Sequence, residues 1–172
     1  MKMIPNGIER EAWLINNPAL GAYMLWVFSR ECISKNPEAI HPSKIFCVLP
    51  FLFYADTRSE LVTTSLNSNM QAYISKFSST KSCASDIALS IHRRVEEQKE
   101  KTLEALITAF GTGLLMIDSD SGLITPNMKI TPIKRADLDV TTKELFDCSR
   151  RLGKWFSDLK TEDITRIIKV VF

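Results

Sequence analysis

Apolar residues recur every three or four positions along most of this chain, and the breaks in that rhythm mark its turns. Asn17-Pro18 joins a capping side chain to a proline at the first helical position. Leu20, Tyr23, Met24, Val27 and Phe28 follow at helical spacing, with Trp26 on a second face. The pattern predicts a helix from Pro18 to about Lys35, stopped by Asn36-Pro37. Residues 1–16 are mixed, with Trp13, Leu14 and Ile15 expected to pack onto the body. A second helix start lies at His41-Pro42-Ser43. The run from Ile45 to Tyr54 is apolar all round, which predicts a fully buried helix kinked near Pro50.

Thr57-Arg58-Ser59-Glu60 has the form of a capping box opening a short helix to about Ser65. Asn67-Ser68-Asn69 is a turn, and Met70, Tyr73, Ile74 and Phe77 share a face of the next short helix. Such a pair has helix-turn-helix form, a weak signal by itself. After a polar loop, Ser85 to Phe110 reads as one helix of about 26 residues, ~39 Å long. Ile87, Ile91 and Val95 stripe its start, and Leu103, Leu106, Ile107 and Phe110 its end. From Glu96 to Lys101 there is no apolar residue. That middle is expected to be solvated, or else covered by a partner, with Arg93–Glu97 and Glu97–Lys101 as stabilising pairs.

Gly111 and Gly113 suit a helix C-terminus. Leu114–Ile117 and Leu123–Thr125 then face each other across Asp118-Ser119-Asp120-Ser121-Gly122, which predicts an antiparallel hairpin with Gly122 at positive φ. Met128 to Val140 contains Pro132 and is expected to meander over the surface. Thr141-Thr142-Lys143-Glu144 forms a second capping box, opening a helix to about Leu159 that packs through Leu145, Phe146, Leu152, Trp155 and Phe156. Trp155 and Phe156 should be core residues against the 20–28 and 46–53 helices. Thr161-Glu162-Asp163 caps a last short helix, and Ile167 to Phe172 is a β-rich run suited to add a strand beside the hairpin. A helix followed by a tight hairpin is the sequence form of a winged helix. The expected fold is mainly α with a small β-hairpin: a winged-helix-like single domain over residues 1–172, with a long central helix.

Composition narrows the classes. A chain of 172 residues with 45% hydrophobic content can bury about 70% of its unfolded surface as one domain. A net charge of +2 is too small for a protein that coats nucleic acid, though it allows a local basic patch. The longest apolar run, Ile45 to Ala55, is too short to span a bilayer and is broken by Pro50. No signal peptide is expected at the N-terminus, and a cytoplasmic location follows. Cys32, Cys47, Cys83 and Cys148 are widely spaced in helical patterns, as reduced core thiols are.

Chemistry is sparse. His41 and His92 fall in different elements, and no spacing suits a metal, a phosphate-cradling loop or a nucleophile elbow. Asp118 and Asp120 resemble the opening of a calcium loop, but Lys129 stands where its last acidic ligand belongs. No cofactor, metal or catalytic residue is expected. Three basic clusters remain as candidate contacts for a partner or DNA: His92-Arg93-Arg94; Lys129 with Lys134-Arg135; and Arg150-Arg151 with Lys154.

Several segments resemble the middle component of bacterial three-component ABC systems, the class that includes the Lamassu-type anti-phage and anti-plasmid defence systems. They are Asn17-Pro18-Ala19-Leu20-Gly21-Ala22-Tyr23-Met24-Leu25-Trp26, Val48-Leu49-Pro50-Phe51-Leu52-Phe53, Thr57-Arg58, the Tyr73–Phe77 helix, Ala109-Phe110-Gly111-Thr112-Gly113-Leu114-Leu115 and Arg151-Leu152-Gly153-Lys154-Trp155-Phe156. The resemblance spans most of the chain, while Met128 to Val140 matches nothing recognisable. It implies a non-enzymatic subunit in a hetero-oligomer. In such systems an SMC/Rad50-like ATPase senses DNA, an effector, often a nuclease, attacks, and the middle protein binds the ATPase and couples the two. DNA would be reached through the complex, with no membrane and no small-molecule substrate. The alternative is a stand-alone winged-helix DNA-binding regulator using residues 57–77 and the hairpin. Met70 to Phe77 carries only Lys76 as a cation, which favours the adaptor. A small hydrolase or transferase lacks the necessary site chemistry.

Overall fold

The computed structural model describes residues 8–78 and 84–168. Before the hairpin come α1 (Ile8–Ile15), α2 (Pro18–Lys35), α3 (Pro42–Phe46), α4 (Val48–Phe53), α5 (Ala55–Thr63), α6 (Met70–Ser78), α7 (Ala84–Glu97) and α8 (Lys99–Gly111). The hairpin strands are β1 (Leu115–Ile117) and β2 (Ile124–Pro126), followed by a 3-10 turn (Arg135–Asp137), α9 (Val140–Phe156) and α10 (Thr161–Ile168). The described residues are mainly helical with one small antiparallel hairpin, as the periodicity predicts.

The core is organised around α2. Asn17 caps it by accepting the Leu20 amide at 3.1 Å, and Pro18 opens it. Gly21, Ala22, the run Met24 to Ser29, and Cys32 are all buried. α8 and α9 make the most extensive packing against it. Both approaches need glycine. A Cβ at Gly21 would lie 2.9 Å from the Ala105 Cβ of α8. A Cβ at Gly153 would lie 2.5 Å from the Phe28 carbonyl oxygen and 2.8 Å from the Glu31 Cβ. The Ser149 hydroxyl donates to the Met24 carbonyl at 2.6 Å across the same seam. Phe156 meets Phe28 edge-on at 5.4 Å, and Trp155 lies 5.6 Å from Tyr73 of α6; both α9 aromatics are buried, as expected.

The apolar run at 45–54 is two helices, broken at Cys47 rather than kinked near Pro50. Pro50 is still the cause. Its ring conflicts with the Phe46 carbonyl four residues back, and the break makes Pro50 the third residue of α4, where an N–H would have no helical partner.

Neither capping box acts as one. α5 begins at Ala55 with Tyr54 at its N-cap, so Thr57 and Arg58 are already inside it. They serve the end of α4 instead. The Thr57 hydroxyl donates to the Phe51 carbonyl at 3.0 Å, and Arg58 Nη1 donates to the Leu52 and Phe53 carbonyls at 2.9 and 3.0 Å. A cation at a helix C-terminus also meets the negative end of its dipole. At α9 the cap is Asp139, whose carboxylate accepts the Thr141 and Thr142 amides at 2.9 and 3.1 Å. That leaves Glu144 free to accept from Arg58 Nε at 2.8 Å. α9 ends at Phe156, three residues short of the expected Leu159.

The long central helix is interrupted at Gln98. Its buried face carries Ile91, Val95, Gln98, Thr102, Ala105 and Ala109 in alternating four- and three-residue steps, with Leu106 buried beside them as expected. Of the polar middle, Glu96, Glu97, Lys99 and Glu100 are exposed, as expected, and Gln98 alone turns into the core. Gln98 is only 2% exposed, and among the described residues neither its amide atoms nor the Thr102 hydroxyl has a hydrogen-bond partner. Leu103 and Ile107, expected to pack, point outward instead, Ile107 being 69% exposed. The small Ala105 and Ala109 occupy the seam because α8 lies too close to α2 for larger side chains. Glu97 pairs with Arg93 at 2.8 Å, while Lys101 pairs with Glu104 rather than Glu97.

In the hairpin Met116 opposes Thr125, and Gly122 has φ +68°. Asp118 closes the turn by accepting the Ser121 amide at 3.2 Å. β1 packs on α8 and β2 on α2, whereas α6 lies against α5, α7, α9 and α10. The other edge of β2 is paired with Ile40, through amide-to-carbonyl bonds of 2.8 and 2.9 Å with Ile124. Ile167, expected in a terminal strand, belongs to α10, and residues 169–172 lie outside the described residues. Leu14 is buried as expected, but Trp13 is exposed.

Gly153→Ala should lower the unfolding free energy by about 1–3 kcal/mol, because the added methyl meets backbone rather than a movable side chain; chemical denaturation measures it. Gln98→Leu should act in the opposite direction. It keeps the side chain's bulk and removes an unpaired buried amide, a group that typically costs about 1–3 kcal/mol. A drop in melting temperature for the Leu variant would mean that the amide is satisfied in solution.

Candidate partner-docking surface

The three basic clusters of the sequence have different fates. Arg94 forms a two-pronged pair with Asp56, at 2.8 Å (Nη1–Oδ1) and 2.6 Å (Nη2–Oδ2), and its guanidinium lies 4.1 Å over the Tyr54 ring. Burial alone would raise the Asp56 carboxyl, but the Arg94 guanidinium and the Thr57 amide outweigh it and hold the group below its ordinary range. Arg94 therefore ties α7 to the first turn of α5. Arg93 is exposed and pairs with Glu97. His92 is half-buried, with no partner for its Nδ1 among the described residues.

The α9 cluster is likewise tied to neighbouring elements, though Arg150 stays exposed. Arg150 pairs with Glu31 of α2 at 3.0 Å, Arg151 donates to the Leu61 carbonyl in the last turn of α5, and Lys154 donates to Asn67 Oδ1 at 3.3 Å. These contacts hold α2 and the α5–α6 corner against α9.

The third cluster stays outside. Trp26 Nε1 donates to the Asn127 carbonyl at 3.2 Å, and Arg30 Nη1 donates to the Ile130 carbonyl at 2.9 Å. The Tyr23 hydroxyl accepts the Ile133 amide at 3.2 Å. α2 thus grips the strap at 127–133 by its backbone, which explains why Met128, Lys129, Ile133 and Lys134 are exposed. The Lys129 and Lys134 ammonium groups have no partner among the described residues. Arg135 is exposed and forms a fork with Asp147, 3.0 Å from Nε and 2.6 Å from Nη2.

Where the strap enters α9, a groove of about 350 Å³ opens between α9 and the end of α5. Val62, Val140, Arg135, Lys143, Asp147 and Arg151 line it. Val140 is 81% exposed and Val62 is also exposed. Sequence reasoning missed Val62, Lys143 and Val140. A signal was present for the last: Val140 is followed at i+3 and i+4 by Lys143 and Glu144, so it cannot belong to the packing stripe of α9. The groove brings Arg135 and Arg151 together and leaves His92, Arg93 and Arg94 on α7, away from its lining.

Reactive groups are scarce among the described residues. Burial pushes the Cys32 thiol up to about 11, and those of Cys47 and Cys148 up to about 12, so none is a thiolate at neutral pH. No group of three or more His, Cys, Asp and Glu side chains is placed to hold a metal ion among the described residues. His41 caps α3, its Nδ1 accepting the Ser43 amide at 3.3 Å, beside a mostly apolar cavity of about 290 Å³. No described helix is long and apolar enough to cross a membrane.

A family model for ABC-three component (ABC-3C) system Middle Component 3 matches residues 6–172. The chain belongs to this family. No curated protein and no solved structure matches it. A middle component is an accessory part of a multi-component system, so the partners of this Middle Component 3 chain are the other components. A surface built for protein contact is what that position requires. The exposed strap and the α5–α9 groove have that composition: aliphatic side chains interleaved with cations.

Asp56→Asn should weaken the protein at neutral pH and leave it less acid-sensitive. The folded carboxyl titrates below its unfolded value, so its contribution is present above the unfolded pKa and is lost as pH falls through the folded one. Melting curves near pH 7 and about pH 3 check this: the gap between wild type and variant should shrink in acid.

Proposed function

We propose that this middle component is a non-enzymatic accessory subunit that binds an SMC/Rad50-like ATPase and couples its DNA sensing to an effector nuclease, in anti-phage or anti-plasmid defence of the Lamassu type. The match of the Middle Component 3 family to residues 6–172 carries the reading. The surface chemistry supports it. α6, the helix that would read bases in a stand-alone regulator, carries only Lys76 as a cation, and Lys76 lies 3.7 Å from Glu60. Charged surfaces of the kind found on the strap steer association and set register more than they add affinity. DNA is then reached through the complex, in the cytoplasm, without a membrane or small-molecule substrate.

Co-expression with the other components of its system, an ATPase and an effector on this reading, tests it. A stable complex should co-purify, and the isolated chain should bind DNA weakly, with affinity falling steeply as salt rises. Failure to co-purify, or tight sequence-specific DNA binding by the chain alone at physiological salt, overturns it.

A further inference from the structure

We propose that the α5–α9 groove, together with the 128–134 strap that runs into it at Arg135, docks an acidic amphipathic helix of another component of the system; this rests on the accessory-subunit reading above. The surface has two parts that one ligand must satisfy together. Val62 and Val140 give the groove exposed aliphatic walls, and Met128 and Ile133 extend the apolar character along the strap. Cations surround them. Between residues 128 and 143 the chain carries four basic residues, Lys129, Lys134, Arg135 and Lys143, and two acidic ones, Asp137 and Asp139. One of those acids, Asp139, is turned onto the amides of the α9 N-terminus. Lys129 and Lys134 have no counter-charge among the described residues, unlike Arg94, Arg135 and Arg150, which do. Arg151 Nε is buried against the groove without a partner there.

Charge complementarity calls for carboxylates. Two features favour a protein over a nucleic acid. Aliphatic side chains gain nothing from a phosphate backbone, whereas they pack against the apolar face of a helix. Glu144 and Asp147 also line the groove and repel any anion beside them, so the ligand's carboxylates must be spaced apart to meet the cations instead, which a helix with separated acidic residues allows and a phosphate backbone charged at every step does not. A helix fits better than a strand. Both walls are helices whose backbone groups are internally bonded, so there is no open sheet edge to extend, and a helical ligand brings its own hydrogen bonds.

The test uses the co-purified complex and two variants whose side chains make no core contact. Val140→Glu combined with Lys143→Glu, and separately Lys129→Glu combined with Lys134→Glu, should each weaken the complex at least about tenfold in Kd, a change of about 1.4 kcal/mol, with melting temperature unchanged. A photo-crosslinking residue in place of Val140 should attach to an acidic helical segment of a partner. If the unaltered chain forms no complex, the accessory-subunit reading fails and the proposal falls with it. If the complex forms but both variants bind as tightly as wild type, the surface assignment alone is overturned. Crosslinking to nucleic acid, or to a basic segment, overturns the choice of occupant. Weakened binding together with the acidic crosslink establishes it.

Discussion

The close approach of α8 and α9 to α2 is the constraint from which the rest of the architecture follows. Gly21 and Gly153 remove the side chains that would hold these helices apart. With α9 seated on the Phe28 and Cys32 backbone, its aromatic end reaches Phe28 and Tyr73, joining α6 to the same core. With α8 seated at Gly21, the small Ala105 meets α2 at closest approach with Ala109 and Leu106 buried near it, and Leu103 and Ile107 face outward. Close packing at native density leaves no intermediate solution: a bulky residue either belongs in the interface or faces away from it.

A second layer of order comes from helix ends that are satisfied by neighbouring elements. The carbonyls at the end of α4 are answered by Thr57 and Arg58 of α5, and the same Arg58 reaches Glu144 of α9. Arg151 of α9 answers the end of α5, and Lys44 of α3 answers the end of α9 through the Phe156 carbonyl at 3.2 Å. Each cation lies where the helix dipole is negative. The groove between α5 and α9 is a product of these ties, since they fix the two helices side by side without filling the space between their exposed valines.

Charge in this molecule therefore has two uses. Arg94, Arg150 and Arg151 join elements, adding specific ties between α7, α5, α2 and α9 to the cohesion of the apolar core. Lys129 and Lys134 do not, because the strap that carries them is held by its backbone. A subunit of a multi-component system can use both, since internal ties make a surface rigid before binding and free cations on the proposed docking face remain available to a partner. Preorganisation of that kind reduces the ordering cost of association.

The sequence by itself determined where most helices begin, the hairpin and its glycine, the burial of Trp155 and Phe156, and the family resemblance. These are local facts. A proline at N1, a cap at Asn17 or a positive φ at Gly122 depends on residues within one turn. The strap and its outward lysines were legible as a surface segment, because nothing apolar in it recurs at a packing period. Tertiary structure decided the rest. The boxes at Thr57 and Thr141 are chemically able to cap their own helices, but Phe51, Leu52 and Phe53 present unbonded carbonyls to the first and Asp139 pre-empts the second. The middle of α7–α8 is solvated at Glu96, Glu97, Lys99 and Glu100, as its polarity implies, but that Gln98 within it and Thr102 just after it turn inward is set by where the helices meet the core. Basic clusters that look alike in sequence separated into ties and free surface according to which carboxylate or carbonyl the fold brought opposite each. No local rule anticipates such pairings, because their partners lie tens of residues away along the chain.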